Sequence, residues 1–223
     1  HLTIELKKEE RIIVKDFCFT LMSGDRAAVI GVEGNGKSTL LKWIVCPKEV
    51  EKYCNCKGIL QSNGLTLGYL EQMVPFYGDM TVRDYLKGID LYGDLPVPLW
   101  ELHSHMELFE SDQPLSTLSG GEKLKIRLVK LLSQHPEVLL LDEPTNDLDL
   151  NTLKWLENFL LHCPMPVLYV SHDETLLENT ANVVIHLEQV KKKQEARYTI
   201  QRTGYREYVE TRLGALEKQE QIA

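Results

Sequence analysis

The chain has 223 residues, of which 43% are hydrophobic and 26% charged, an ordinary balance for a soluble globular protein with a sizeable buried core. No apolar run approaches the roughly 20 residues of a membrane span, and no signal-peptide pattern opens the chain. A net charge of -8 argues against a freely basic surface for nucleic acid, leaving RNA contact to a local patch or another segment.

Residues 1–30 read as β structure, with strands over 2–6, 12–14 and 17–21, a turn at Ser23-Gly24-Asp25, and an apolar strand at Ala27-Ala28-Val29-Ile30. Residues 31–39 read GVEGNGKST, followed by a helix with an apolar face at Leu40, Leu41 and Ile44. Residues 47–63 are polar and suggest a hairpin excursion, after which a strand over 65–70 ends at Glu71-Gln72. Residues 73–117, rich in breakers, suggest a small inserted helical arm with pieces over 81–86 and 100–108; His103 and His105 there would face apart on a helix.

A helix is predicted from Ser119 to about Gln134, opened by a Ser119/Glu122 capping box and stopped by His135-Pro136. Residues 138–142 form a continuous apolar run, as in a parallel strand buried on both faces. A helix over 151–161, a strand over 167–170 delivering Ser171-His172-Asp173, a helix over 174–179 and strands over 183–187 and 197–201 follow. The tail, 205–223, is charged and helix-favouring. Alternating strands and helices predict a mainly parallel α/β sheet with an antiparallel layer beside it.

The spacing of Gly31, Gly36, Lys37 and Ser38 matches a phosphate-binding loop: glycine N–H groups nest the anion, Lys37 reaches the β- and γ-phosphates, and Ser38 offers a hydroxyl to Mg²⁺. Asp142 ends a buried strand, which suits a metal-holding carboxylate, and Glu143 one step beyond is suited to polarise an attacking water. Leu118-Ser119-Gly120-Gly121-Glu122 presents a second helix N-terminus with glycine N–H groups, implying service to a nucleotide held by a partner domain. The five cysteines, at 18, 46, 54, 56 and 163, lack metal-ligand spacing and are expected to be reduced cytoplasmic thiols.

The order GVEGNGKST, Gln72, LSGGEK, LLLDEPTNDLD and VSHD resembles an ATP-binding cassette (ABC) ATPase domain over essentially the whole chain. The resemblance implies an α/β P-loop fold: a mainly parallel core sheet, an antiparallel β layer and a small helical subdomain. It implies ATP and Mg²⁺ as cofactors, with Gly31, Val32, Glu33, Gly34, Asn35, Gly36, Lys37, Ser38 and Thr39 as Walker A. Ser119, Gly120, Gly121 and Glu122 become the signature loop, Ser38, Gln72 and Asp142 the metal-side residues, and Glu143, His172 and Gln72 the catalytic set. Residues 146–149 would be the D-loop. Two such cassettes would close head to tail, each signature completing the other's site. The family's adenine-stacking aromatic falls near residues 8–11, where this chain has none; Ile12 or Val14 are the apolar substitutes at hand.

Within the family, LSGGEKLKIRLVKLL, the TNDLDLNTLKWLENFL extension with Asp147 in place of the usual histidine, and the exit through Gly204-Tyr205-Arg206-Glu207-Tyr208 resemble the first cassette of the ABC-F branch. That implies a cassette over 1–203 with the arm at about 73–117, a linker helix beginning at 204–223, and the ribosome as partner. The first residue, His1, fits the expectation of a piece of a longer two-cassette protein, a homodimerising single cassette being the other arrangement. The rival function is the ATPase subunit of an ABC membrane transporter.

Overall fold

The computed structural model describes residues 1–72, 76, 78–91, 93, 106–189 and 196–220. In chain order the elements are β1 Leu2–Leu6, β2 Arg11–Phe17, β3 Arg26–Ile30, α1 Lys37–Val45, α2 Pro47–Val50, β4 Cys54–Lys57 and β5 Leu67–Leu70. They continue with α3 Val82–Tyr85, α4 Met106–Phe109, α5 Gly120–Leu132, β6 Val138–Asp142, α6 Leu150–His162 and β7 Val167–Val170. The last are α7 Glu174–Thr180, β8 Val183–Gln189, β9 Ala196–Gln201 and α8 Tyr205–Glu220. The chain divides into two compact units, residues 1–62 with 170–223, and residues 63–169.

In the first unit an antiparallel sheet runs β2-β1-β4. A second set places β8 between β3, its parallel partner, and β9, its antiparallel one, with Ile30 opposite His186. The Ala27-Ala28-Val29 run is fully buried, as a strand covered on both faces must be. Phe17 packs its ring edge-on against Tyr198 of β9 at 5.1 Å, and the Tyr198 hydroxyl donates to the Asp16 carbonyl at 3.1 Å, joining the small sheet to β9.

Two expectations change here. The strand expected over 17–21 ends at Phe17: alternating apolar residues continue, but no described strand pairs with them, and the Thr20 carbonyl accepts instead from the Arg202 guanidinium at 2.8 Å. Residues 47–63 are not a hairpin. Pro47 starts one short helical turn, and β4 then returns to pair with β1, Ile4 opposite Cys56. Buried apolar side chains on β1 and β4, Leu2, Ile4 and Cys54, explain why so polar a segment is recruited to a sheet edge.

In the second unit β5 and β6 pair in parallel, Leu70 opposite Leu141, and every residue of β6 is buried. Gly68 is there because a side chain would meet Pro136 at 2.9 Å. The helical pieces share a core of Val82, Leu86, Phe109, Leu115, Leu118, Ile126 and Val129, so α5, at Ile126 and Val129, is the element they close on. Burying such side chains contributes about 1.5–3 kcal/mol each, enough to hold four-residue helices that could not persist alone. Thr81 caps α3, its hydroxyl accepting from the Asp84 N–H. The expected helix around Trp100 falls largely, and His103 and His105 wholly, outside the described residues; α4 forms at 106–109.

Candidate functional site

The phosphate loop is assembled in the first unit by β3, α1, β2 and β8. Gly31 has φ +145 and faces the Leu187 carbonyl of β8, which a Cβ would approach to 2.3 Å, so only glycine fits. The same carbonyl accepts the Asn35 Nδ2 at 3.0 Å, fixing the loop's far side to β8. Lys37, 6% exposed, curls back and donates to the Gly31 and Val32 carbonyls at 2.8 and 3.2 Å. These bonds bend residues 31–37 into a ring around the amine. Gly36, φ 85, enters α1 without a side-chain cap, and no acidic residue occupies the first turn, leaving the helix's positive end for an anion. Val32, Glu33 and Gly34 are exposed, Ser38 and Thr39 half-buried.

β2 supplies what the sequence reading missed. Arg11 and Ile13, two apart and so on one face, line the loop: Arg11 Nη2 donates to the Gly34 carbonyl at 3.1 Å, and Ile13 Cδ1 lies 3.0 Å from where a Cβ of Gly36 would be. Of the expected apolar substitutes, Ile12 is half-buried and Val14 buried, with a register irregularity of β2 between them. The signal was present in the alternation of β2, but only pairing could say which face meets the loop.

Behind the loop, His186 of β8 joins α8. Tyr208 Oη and Arg212 Nη1 lie 2.6 and 3.0 Å from His186 Nδ1, and Arg212 pairs with Glu188. Arginine can only donate, so Nδ1 accepts and the imidazole is the neutral Nε2–H tautomer. Burial, then the Arg212 charge and more weakly Lys37, push His186 below its ordinary 6.5. Burial alone would raise the Glu188 carboxyl, but the Arg212 hydrogen bond and neighbouring positive charges hold it below its ordinary value. Tyr208 is the buried anchor, 2% exposed, of an otherwise charged helix. In the same unit His172 is exposed on the turn between β7 and α7; Ser171 Oγ accepts from the Asp173 N–H at 3.0 Å, and Asp173 caps α7.

The second unit gathers the remaining predicted residues. Asp142, 1% exposed, ends β6 with its Oδ2 accepting the Tyr69 hydroxyl at 3.2 Å. Glu143 follows with φ 49 and 9% exposed, a left-handed conformation that costs an ordinary side chain about 1–2 kcal/mol and turns the chain sharply off the strand before Pro144. Gln72 is exposed just beyond β5. A groove of about 330 Å³ beside it is lined by Tyr69, Glu71, Tyr85, Arg127, Lys130 and Gln134, among others.

The expected capping box is present: Glu122 Oε2 accepts from Ser119 N at 2.8 Å and Ser119 Oγ at 2.7 Å, while Ser119 Oγ accepts from Glu122 N at 3.3 Å. The glycines behind it are set by crowding. A Cβ on Gly120 would lie 2.3 Å from the Asp147 carbonyl, and one on Gly121 2.3 Å from Thr152 Oγ1. Asp147 has φ 60, a conformation that a short polar side chain tolerates, so the signature and 146–149 loops pack as one piece. Asp149 caps α6, and the hydrogen bonds from Thr152 hold its carboxyl below the usual range.

Among the described residues no group of three or more His, Cys, Asp and Glu side chains could hold a metal. Mg²⁺ does not ask for one: it keeps several waters and takes one or two protein oxygens with phosphate oxygens. A hydroxyl at Ser38 and a carboxylate steadied by Tyr69 at Asp142 are the right donor types. Cys56 is inert as a nucleophile, burial pushing its thiol up to about 11. No described helix is long and apolar enough to cross a membrane.

The ABC transporter family profile matches residues 14–146. Among curated relatives, ATP-binding protein Uup of Buchnera aphidicola is 36% identical over 187 residues, covering 80% of this chain and 30% of that protein. The energy-dependent translational throttle protein EttA of Mycobacterium tuberculosis is 29% identical over 220 residues, covering 80% and 38%. The chain therefore spans about a third of the length of these relatives. Among solved structures, an RNase-L Inhibitor aligns with a TM-score of 0.66 at 23% identity, over 87% of this chain and 38% of that one. The ATP binding subunit of an ABC transporter aligns at 0.61 and 21%, over 83% and 85%. At these identities the structures speak for the fold, and it is the expected one: α/β, with mixed sheets and helices.

Proposed function

The chain belongs to the ATP-binding cassette family, a family of ATPases with ABC-F proteins among this chain's relatives, and from that premise we propose that it is the ATP-binding and hydrolysing cassette of an ABC-F-type protein coupled to the ribosome. The observation that carries the nucleotide reading is the phosphate loop itself: an uncapped helix end, a glycine ring and a lysine drawn into its centre. Support for the branch comes from relatives such as EttA, a translational throttle protein by its name, alongside the signature and D-loop wording.

In this reading residues 31–39 hold the triphosphate, Lys37 exchanging loop carbonyls for phosphate oxygens. Ser38, Asp142 and Gln72 hold Mg²⁺, which when bound supplies charge neutralisation on the phosphates. Glu143 orients and deprotonates the attacking water. His172 donates toward the transferred phosphoryl group. Ser119, Gly120, Gly121 and Glu122 serve the nucleotide of a second cassette, in the same longer chain or a second copy, and for that the Ser119 hydroxyl must leave Glu122. Residues 1–203 form the cassette, and α8 begins the linker.

The test is ATP-dependent co-sedimentation of the natural full-length protein, carrying Glu143→Gln, with ribosomes. Pelleting with ATP and not with ADP supports the proposal. Recovery in a membrane-protein complex instead would move the chain to the transporter reading.

A further inference from the structure

We infer that Tyr208 and Arg212 of α8 are positioning residues for the phosphate loop: by clamping His186 and Glu188 they fix the β8 carbonyl, that of Leu187, from which the loop hangs. The inference rests on the nucleotide reading above.

Every contact involved lies within the first unit. Pairing of β8 with β3 ends where Ile30 stands opposite His186, and the next β8 carbonyl, Leu187, serves the loop instead. It accepts the Nδ2 of Asn35, a residue 5% exposed, at 3.0 Å, and it is the atom that Gly31 faces. Moving this one carbonyl therefore disturbs the loop at two points, Gly31 and Asn35.

His186 and Glu188 flank Leu187 and, two apart on a strand, share the face opposite its buried side chain. α8 grips both. Tyr208 Oη and Arg212 Nη1, from residues one helical turn apart, lie 2.6 and 3.0 Å from His186 Nδ1, and Arg212 Nη2 pairs with Glu188. The guanidinium is a planar fork of fixed span, so one prong on each residue sets their spacing across Leu187. After burial and Arg212, the Lys37 charge also works against protonation of His186, so the loop's cation and the clamp feel each other.

Little else holds α8. Among its described side chains Tyr208 alone is buried, and the Arg206–Glu178 pair at 2.9 Å is exposed, where an ion pair contributes little. A helix of this length is marginal in water by itself, so α8 frays once it undocks. Docking and phosphate binding are then linked: the factor by which docking raises phosphate affinity is the factor by which phosphate raises docking.

Isothermal titration of the chain with inorganic tripolyphosphate and with ATP, in Mg²⁺ buffer, is read beside hydrogen exchange of the α8 amides. Tyr208→Phe combined with Arg212→Met deletes the clamp while keeping a buried ring and an aliphatic stem. It is expected to lose about tenfold in affinity for both ligands, within the usual range for coupled sites. Arg206→Ala removes only the outer ion pair and is expected to bind both ligands as the wild type does. In the wild type, saturating tripolyphosphate is expected to slow exchange at residues 208–213 by about the same tenfold, and in the clamp variant to leave it unchanged. A helix that merely stabilised the fold would show neither effect. Unchanged affinity in the clamp variant, an equal loss in Arg206→Ala, or wild-type α8 exchange indifferent to tripolyphosphate would each overturn the inference. Failure of the wild type to bind tripolyphosphate would instead remove the nucleotide reading beneath it.

Discussion

Replacing Gly31 with alanine tests whether the phosphate loop is held by backbone crowding against β8. The new Cβ would lie 2.3 Å from the Leu187 carbonyl oxygen, and real Cβ contacts do not fall below 3.0 Å, so loop and strand must part by at least the difference. The substitution also forces a residue with a side chain into φ +145. Conformational strain of about 1–2 kcal/mol and overpacking of about 1–3 kcal/mol together predict a loss of about 2–5 kcal/mol. In a chain of this size that lowers Tm by about 4–20 °C, at about 2–4 °C per kcal/mol. Gly34→Ala is the matched control: φ is also positive, at +78, but the nearest atom, Arg11 Nη2, is 4.0 Å away. It carries only the conformational cost, a fall of about 2–8 °C on the same scale. Calorimetry on the two variants decides the matter. Equal falls in Tm would refute the steric argument, because only the Gly31 position faces the Leu187 carbonyl. Tripolyphosphate titration should show the same order, since parting the loop from β8 breaks the Asn35 hydrogen bond.

Lys37→Ala removes both the phosphate cation and the amine around which residues 31–37 bend; ATP affinity should fall by more than about 100-fold, and an unchanged affinity would remove the phosphate-loop assignment. Ser119→Arg should abolish ATP-driven pairing of cassettes in sedimentation velocity while leaving ATP binding in place, at a cost of about 1 kcal/mol in stability from the lost cap. Intact pairing in that variant would contradict the shared-site proposal. The His186 cluster sets a pH dependence. Its folded value lies below 6.5, so below about that pH the unfolded chain binds a proton that the folded chain resists. Stability present above pH 6.5 is thus lost as pH falls through the lower folded value. Urea midpoints between pH 7 and 5 should therefore drop less in His186→Gln than in the wild type, and parallel curves would show that His186 does not report on α8.

The contiguous motifs were legible because their chemistry and local geometry coincide in sequence. Strand, glycine loop and helix follow one another from Arg26 to Val45, and the Ser119/Glu122 box needs only three residues of spacing, so both stand where expected. The buried run ending at Asp142 was equally plain, since a strand covered on both faces has no polar positions to alternate with. Misreadings fell where a neighbour decides. Residues 17–21 alternate like a strand but beyond Phe17 no described strand pairs with them, and Cys54–Lys57, a largely polar stretch, becomes one because β1 offers an open edge.

The glycines, lysine, acidic pair and signature box could be picked out as candidates from the primary structure, because a phosphate-loop pattern and a helix cap are short-range features between residues within a few positions of each other. What folding alone decided is the company those residues keep. Arg11 meets Gln189, 178 residues away, and Gly34; Arg212 and Tyr208 meet His186; Asp147 crowds Gly120. Each depends on the register of one strand or loop against another, and a shift of a single residue would turn the side chain to the opposite face. Local spacing cannot encode that; in the first unit the packing of β1, β2, β3, β8 and β9 does.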